Sequence, residues 1–222
     1  LWNAKTGAQI GPPMRHDGKV WGALVLPDGH LLSWSRDSSL RQWDAKTGAQ
    51  IGPAMRHDGD VQGALVMRDG HLLSWSDDTT LRLWDAKTGA QVGPAMRHDY
   101  PVSGALVMPN GRLLSWSDDT LRLWDAKTGA QIGPAMRHDY PVSGALVMPD
   151  GRLLSWSDDW TLRRWDSNWP TGSIFAIACT LLPKVDLNDV LDRYHLTKSD
   201  PICRSPLDIP LPDWSKIERV LE

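Results

Sequence analysis

Residues 85–124 read DAKTGAQVGPAMRHDYPVSGALVMPNGRLLSWSDDTLRLW, and residues 125–165 read DAKTGAQIGPAMRHDYPVSGALVMPDGRLLSWSDDWTLRRW. The two stretches differ at Val92/Ile132, Asn110/Asp150 and Leu123/Arg164, and by the additional Trp160. Looser copies precede them. The tryptophan that closes each copy falls at 2, 43, 84, 124 and 165, giving spacings of 41, 41, 40 and 41 residues. A period of about 40–45 residues is that of a unit made of four short antiparallel strands. Copying of this fidelity also accounts for a lopsided composition, 13 Trp against a single Phe.

Alternation and turn residues divide the copy at 61–96 into four predicted strands. Val61–Met67 is the first, and a turn at Arg68, Asp69 and Gly70 leads into His71–Ser76. That second strand places Leu73 and Trp75 on one face and Leu72, Ser74 and Ser76 on the other. A tight turn at Asp77–Thr79 precedes a third strand, Thr80–Asp85, and the turn Ala86–Gly89 precedes a fourth, Ala90–Met96. Pro94 lacks an N–H and suits an edge strand. One such sheet cannot cover both of its faces, so the copies must stack. No part of residues 1–166 reads as a helix.

The pattern RHDxxVxGALVMPDGxLLSWSxDxTLRLWD resembles the WD40 repeat in its leading His, its S-x-S strand, its turn Asp and its Trp-Asp pair. The resemblance covers about residues 1–166. It implies an all-β, WD40-type β-propeller with about four blade equivalents and a small, partly helical C-terminal cap. Two departures stand out. The usual Gly-His is Arg-His here, and Trp34, Trp75, Trp116 and Trp156 stand where a small residue is usual. These four indoles are expected to thicken the packing between blades.

Each copy holds a His, a Ser and an Asp, the residue types of nucleophilic catalysis. The resemblance implies instead a buried structural network that also includes the third-strand Trp. The sets are His16/Ser33/Asp37/Trp43, His57/Ser74/Asp78/Trp84, His98/Ser115/Asp119/Trp124 and His138/Ser155/Asp159/Trp165. Ser35, Ser76, Ser117 and Ser157 stay open as alternatives for the serine. Asp119 stays open too, because its turn has lost a residue. A tight hairpin would bring Ser74 nearly opposite Trp84. Four copies of a clasp fit a repeat better than four copies of an active site, so no catalytic residue, metal site or cofactor is expected.

The expected blades lie at about 20–55, 61–96, 102–136 and 142–166, the last with three strands. An orphan strand at 8–14 is expected to complete that last blade and close the ring. Four blade equivalents are fewer than the seven or eight that usually close, so the reading expects missing blades or a ring shared by two chains. Further sequence is expected before Leu1, which falls inside a repeat. Gln42 and Arg164 replace Leu83 and Leu123, which suggests that the end blades face something other than an ordinary neighbour. Residues 167–222 form the cap or extension. It contains both Glu residues of the chain, helix signals after Asp186 and Asp213, and Cys179 and Cys203, which could pair only in an oxidising compartment.

The formal net charge of −3 gives no basic field for nucleic acid, and no apolar run is long enough for a membrane span. The function expected is a non-catalytic protein-interaction scaffold or recognition module of bacterial, cytoplasmic type, with a protein or peptide as partner. The alternative is a self-assembling homodimer forming one eight-bladed ring. Tyr100, Tyr140 and Trp160 are the candidate partner-binding residues, as aromatics in loops that the fold does not need.

Overall fold

The computed structural model of the chain describes residues 2–9 and 11–167. The expected cap, its helices and both cysteines lie outside the described residues, apart from Ser167. Fifteen strands and no helix are found among the described residues. Blade one comprises β1 (Val20–Val25), β2 (Leu31–Ser35), β3 (Ser39–Trp43) and β4 (Gln50–Arg56). Blade two comprises β5 (Val61–Val66), β6 (Leu72–Ser76), β7 (Thr80–Trp84) and β8 (Gln91–Arg97). Blade three comprises β9 (Gly104–Val107), β10 (Leu113–Ser117), β11 (Thr120–Trp124) and β12 (Gln131–Arg137). Blade four comprises β13 (Val142–Val147), β14 (Leu153–Ser157) and β15 (Leu162–Trp165). Each sheet is an antiparallel meander in chain order.

Local chemistry explains the turns. In D-A-K-T-G, Asp85 Oδ1 accepts from the N–H groups of Lys87 and Thr88 and from Thr88 Oγ1 at 2.9, 2.8 and 3.0 Å. An Asx turn of this kind bends the chain locally. On the edge strand β8, Leu81 pairs with Met96 but Leu83 pairs with Val92. Gly93, Pro94 and Ala95 therefore bulge outward, where the missing proline N–H costs no ladder bond.

The four unusual tryptophans are admitted by a glycine on the adjoining first strand. Gly63 pairs with Trp75, and a Cβ on Gly63 would stand 2.1 Å from Trp75 Cζ2. Gly22, Gly104 and Gly144 sit likewise under Trp34, Trp116 and Trp156, at 2.3, 2.2 and 2.3 Å. Each indole thus lies on its own blade's first strand, and Trp34, Trp75 and Trp116 also pack against the clusters between blades.

Three such clusters hold the stack, built from corresponding positions. Between blades one and two, Leu32, Leu40 and Met55 meet Val61, Ala64, Leu72 and Trp84. Between two and three, Leu73, Leu81, Leu83 and Met96 meet Val102, Ala105, Leu113 and Trp124. Between three and four, Leu114, Leu121, Leu123 and Met136 meet Val142 and Leu153. Gln42, expected to face something unusual, points at an ordinary neighbour: its Nε2 donates to the Ala86 carbonyl of blade two at 2.8 Å.

The expected orphan strand is corrected. Residues 8–14 contribute no named strand, and β15 pairs only with β14 among the described residues. An isolated bridge joins Trp2 to Gln9, the same register as Trp43 with Gln50 and Trp84 with Gln91. Asn3 makes the Asx turn, accepting from the N–H groups of Lys5 and Thr6 at 2.9 and 3.1 Å. Pro12 lies against Gly48 of the next turn as Pro53 lies against Gly89. The turn at 2–9 and the stretch 11–14 thus stand beside blade one as the corresponding turn and edge strand of blade one stand beside blade two.

Candidate functional site

The ends of the blades where β2 turns into β3 and β4 runs into the next blade carry the candidate histidines, aspartates and loop aromatics, while the candidate serines lie in mid-strand and the candidate tryptophans close the third strands at the far end. In blade two, His57 Nε2 lies 2.7 Å from Ser74 Oγ and His57 Nδ1 lies 2.9 Å from Asp78 Oδ2. The Trp84 indole N–H donates to the same Ser74 Oγ at 2.8 Å. Ser74 stands opposite Arg82, and Trp84 opposite Leu72. The indole thus reaches the serine, expected to lie nearly opposite it, along the diagonal between the strands. A carboxylate at Nδ1 keeps that nitrogen protonated, so Nε2 is free to accept from the serine hydroxyl while the hydroxyl accepts from the indole. The imidazole also meets the indole edge-on, with centroids 6.0 Å apart.

Blades one and four repeat the arrangement. His16 lies 2.7 Å from Ser33 and 3.0 Å from Asp37, and Trp43 donates to Ser33 at 2.7 Å. His138 lies 2.7 Å from Ser155 and 2.8 Å from Asp159, and Trp165 donates to Ser155 at 2.8 Å. Ser35, Ser76, Ser117 and Ser157 work elsewhere: Ser76 Oγ donates to the Gly59 carbonyl and accepts from the Asp78 N–H, at 3.1 and 3.0 Å.

Sequence reasoning missed half of each network. Asp78 also accepts from the Asp58 N–H at 2.9 Å, from Thr80 N–H and Oγ1 at 2.9 and 2.6 Å, and from Arg82 Nη2 at 3.2 Å. Arg82 reaches on to Asp58 Oδ2 at 2.6 Å and to the Arg56 carbonyl at 3.2 Å. The signal was available, since the Asp after each His and the Arg of each third strand recur in every copy. Burial pushes the carboxyls of Asp37, Asp78 and Asp159 up. The hydrogen bonds from histidine, hydroxyl and backbone outweigh it and hold all three well below the usual carboxylate range.

Blade three is a correction. His98 lies 2.7 Å from Ser115, and Trp124 donates to Ser115 at 2.8 Å, but Asp119 does not join them. Its β10–β11 turn has two residues, with Ser117 paired to Thr120 and positive φ at Asp118. Blade two places three residues there, with positive φ at Thr79. Asp119 consequently takes over the backbone role of Thr79, its carbonyl accepting from the His138 N–H at 2.9 Å. Its side chain turns out to Arg137 at 3.4 Å. His98 Nδ1 and Arg122 Nε are buried without a hydrogen-bond partner. Burial, then the Arg122 charge, pushes the His98 pKa down to about 4.

The three candidate aromatics are all exposed: Tyr100 at 56%, Tyr140 at 62% and Trp160 at 98%. Their backbones are tied down. Ser117 Oγ donates to the Tyr100 carbonyl and Ser157 Oγ to the Tyr140 carbonyl, each at 2.7 Å. The Trp160 N–H donates to the Ser157 carbonyl at 3.1 Å. Trp160 is no insertion relative to blades one and two. It holds the position of Ser38 and Thr79 and shares their left-handed backbone, with φ of 61° against 62° and 68°.

The same arrangement of sheets occurs in solved structures. The computationally designed Ika4 protein matches with a TM-score of 0.62 and 20% identity over 72% of this chain and 98% of its own. The WD40 beta propeller domain of Doa1 matches with a TM-score of 0.60 and 23% identity over 69% of this chain and 53% of its own. The fold is that of a β-propeller. The computationally designed Ika8 protein also matches, at a TM-score of 0.63 and 21% identity, over 74% of this chain and 51% of its own. The chain therefore spans about half the length of the Doa1 and Ika8 chains. No protein-family profile and no curated protein sequence matches it.

Within the propeller blades, Ser74, Ser115 and Ser155 are fully buried and each accepts an indole N–H. A hydroxyl so enclosed has no approach for a substrate; what it can do is tie the second and third strands to the loop before the first. At the other end of the blades, a cleft of about 620 Å³ between blades one and two is lined by Gln42, His30 and His71 among others. His30 and His71 there pair with Asp28 and Asp69, each at 3.0 Å. Among the described residues, no group of three or more side chains could hold a metal ion, and no helix is long and apolar enough to cross a membrane.

Proposed function

We propose that this chain is a non-catalytic protein-interaction scaffold that docks a protein or peptide at the end of the blades carrying Tyr100, Tyr140 and Trp160. The observation that carries the reading is Trp160. A bulky side chain at positive φ is rare and costs about 1–3 kcal/mol of backbone strain, and this one is 98% exposed, so it gains no burial in return. A partner that covers the indole would supply that burial, and rigid exposed aromatics are favoured anchors of interfaces. The His–Ser–Asp–Trp sets belong to the same reading as structural clasps that keep these loops in place.

The test is selection of a binding peptide on the wild-type chain, followed by titration of a variant carrying Tyr100→Ala, Tyr140→Ala and Trp160→Ala. Affinity is expected to fall at least about tenfold, a loss of roughly 1.4 kcal/mol, with the melting temperature unchanged. Unaltered affinity would refute the reading.

A second reading, self-assembly into a shared ring, is favoured by the two end faces. Val20 is 47% exposed where Val61, Val102 and Val142 are at most 4%. Leu162 is 68% exposed where Leu40, Leu81 and Leu121 are at 0%. These are the two halves of the inter-blade contact, presented at opposite ends of one chain. Light scattering of the intact chain tests it: a dimer that Leu162→Asp converts to monomer supports ring sharing, and a monomer throughout rejects it.

A further inference from the structure

Blade three keeps the donors of the clasp without its carboxylate. His98 meets Ser115 at 2.7 Å, as His57 meets Ser74, and its ring stands edge-on to Trp124 at 5.7 Å and 66°, against 6.0 Å and 68° for His57 and Trp84. Arg122 still grips the Arg97 carbonyl at 2.9 Å and the Asp99 carboxylate, as Arg82 grips Arg56 and Asp58. Both side chains are therefore held in the poses that converge on an aspartate in the other blades. The Thr120 hydroxyl, whose counterpart Thr80 accepts from Arg82 Nε at 3.2 Å, has turned to the Ser117 carbonyl.

We propose that blade three binds a small monovalent carboxylate, of the size of formate or acetate, between His98 Nδ1 and Arg122 Nε. Three arguments fix the class. In blade two His57 Nδ1 holds the Asp78 carboxylate and Arg82 Nε holds the Thr80 hydroxyl that is bonded to it, so the two donors left over in blade three flank the place of a carboxylate and its hydrogen-bonded neighbour. Leaving buried donors unsatisfied costs about 1–3 kcal/mol each, which a ligand that accepts from both recovers. The charge also matches. Asp58, Asp78 and Arg82 sum to −1 in blade two, whereas Asp99 and Arg122 sum to zero in blade three, and the outward Asp119–Arg137 pair adds nothing. A single negative charge restores the balance of the other blades. His98 is only 5% exposed, so the occupant must be a small anion and not a peptide side chain carried on its backbone.

The experiment uses the intact chain and sodium formate, with sodium chloride at equal ionic strength as control. The blades serve as one another's reference. Formate is expected to move the imidazole ¹⁵N resonances of His98 and the indole N–H of Trp124 saturably, leaving those of His57 and Trp84 in place. For a site of about 10 mM affinity, about 100 mM formate raises the melting temperature by roughly 3–5 °C. A threonine inserted between Asp119 and Thr120 restores the three-residue turn of blade two and should abolish both responses. The proposal is overturned if His98 does not respond, if His57 responds equally, if chloride reproduces the shift, or if the repaired turn binds formate as well as the wild-type turn. Because the resonance comparison is internal to the wild-type chain, it decides the matter even if the repaired turn fails to fold.

Discussion

Replacing Asp78 by Ala and, separately, Asp119 by Ala asks the same question of two residues that occupy like positions in the sequence. Asp78 is 5% exposed and accepts five hydrogen bonds, from His57, Asp58, Thr80 twice and Arg82. Its removal takes the acceptor from the Asp58 and Thr80 N–H groups and leaves His57 Nδ1 only the Thr80 hydroxyl at 3.3 Å, while Arg82 keeps Asp58. Individual charge-assisted bonds contribute about 1.5–3 kcal/mol but are not additive within a network, and breaking a buried pair by deleting one member costs about 3–5 kcal/mol. Asp119 holds only Arg137, at 3.4 Å between side chains 35% and 61% exposed, and an exposed pair of that kind contributes about 0–1 kcal/mol. At about 2–4 °C per kcal/mol for a chain of this size, Asp78→Ala should lower the melting temperature by roughly 10 °C and Asp119→Ala by less than about 4 °C. Thermal unfolding followed by circular dichroism at neutral pH measures both. Equal losses, or a larger loss for Asp119→Ala, would falsify the assignment of Asp78 to a clasp and of Asp119 to the surface.

Other perturbations follow from the same geometry. Gly63→Ala puts a methyl into the Trp75 ring and should cost about 1–3 kcal/mol; adding Trp75→Val should return much of it, and a double variant as unstable as the sum of the singles would contradict the contact. The His98 pKa is lowered from 6.5 to about 4, so between those values the unfolded chain binds the proton first. The stability involved is fully present above pH 6.5 and falls by about 3 kcal/mol as the pH drops towards 4. Urea titrations in phosphate buffer should show this loss in the wild type and not in His98→Asn, and parallel curves would remove the claim. Trp160→Gly relieves the left-handed strain, so it should leave stability unchanged or raise it by about 1 kcal/mol; a marked destabilisation would mean that the indole has a structural role.

The fold was legible because a repeat states its own period, and because Asp85, Gly93 and Pro94 carry turn and bulge chemistry in residues three to ten apart. The Gly63–Trp75 pair was not read, although both members recur in every copy, since alternation predicts which face a residue occupies and not what lies across the ladder. Residues 8–14 were misplaced for a related reason. Their sequence is that of a fourth strand, but a strand's partner is set by the nearest turn, and the Asn3 turn folds Gln9 back onto Trp2. Trp160 read as an insertion because it was compared with blade three, the one copy whose turn is short. The corresponding failure at Asp119 shows how a single missing residue passes a carboxylate from the inside of a blade to its outside while leaving the sequence nearly identical.

The three inter-blade clusters draw on the same positions with nearly the same residues, so the trailing face of any blade is compatible with the leading face of any other. Order along the stack is then imposed by the short connections between blades and not by recognition between surfaces. Refolding at high concentration should therefore produce shuffled assemblies in which a blade from one molecule occupies the slot of another. The fidelity of copying that makes the array simple to extend also removes the chemical labels that would tell its parts apart.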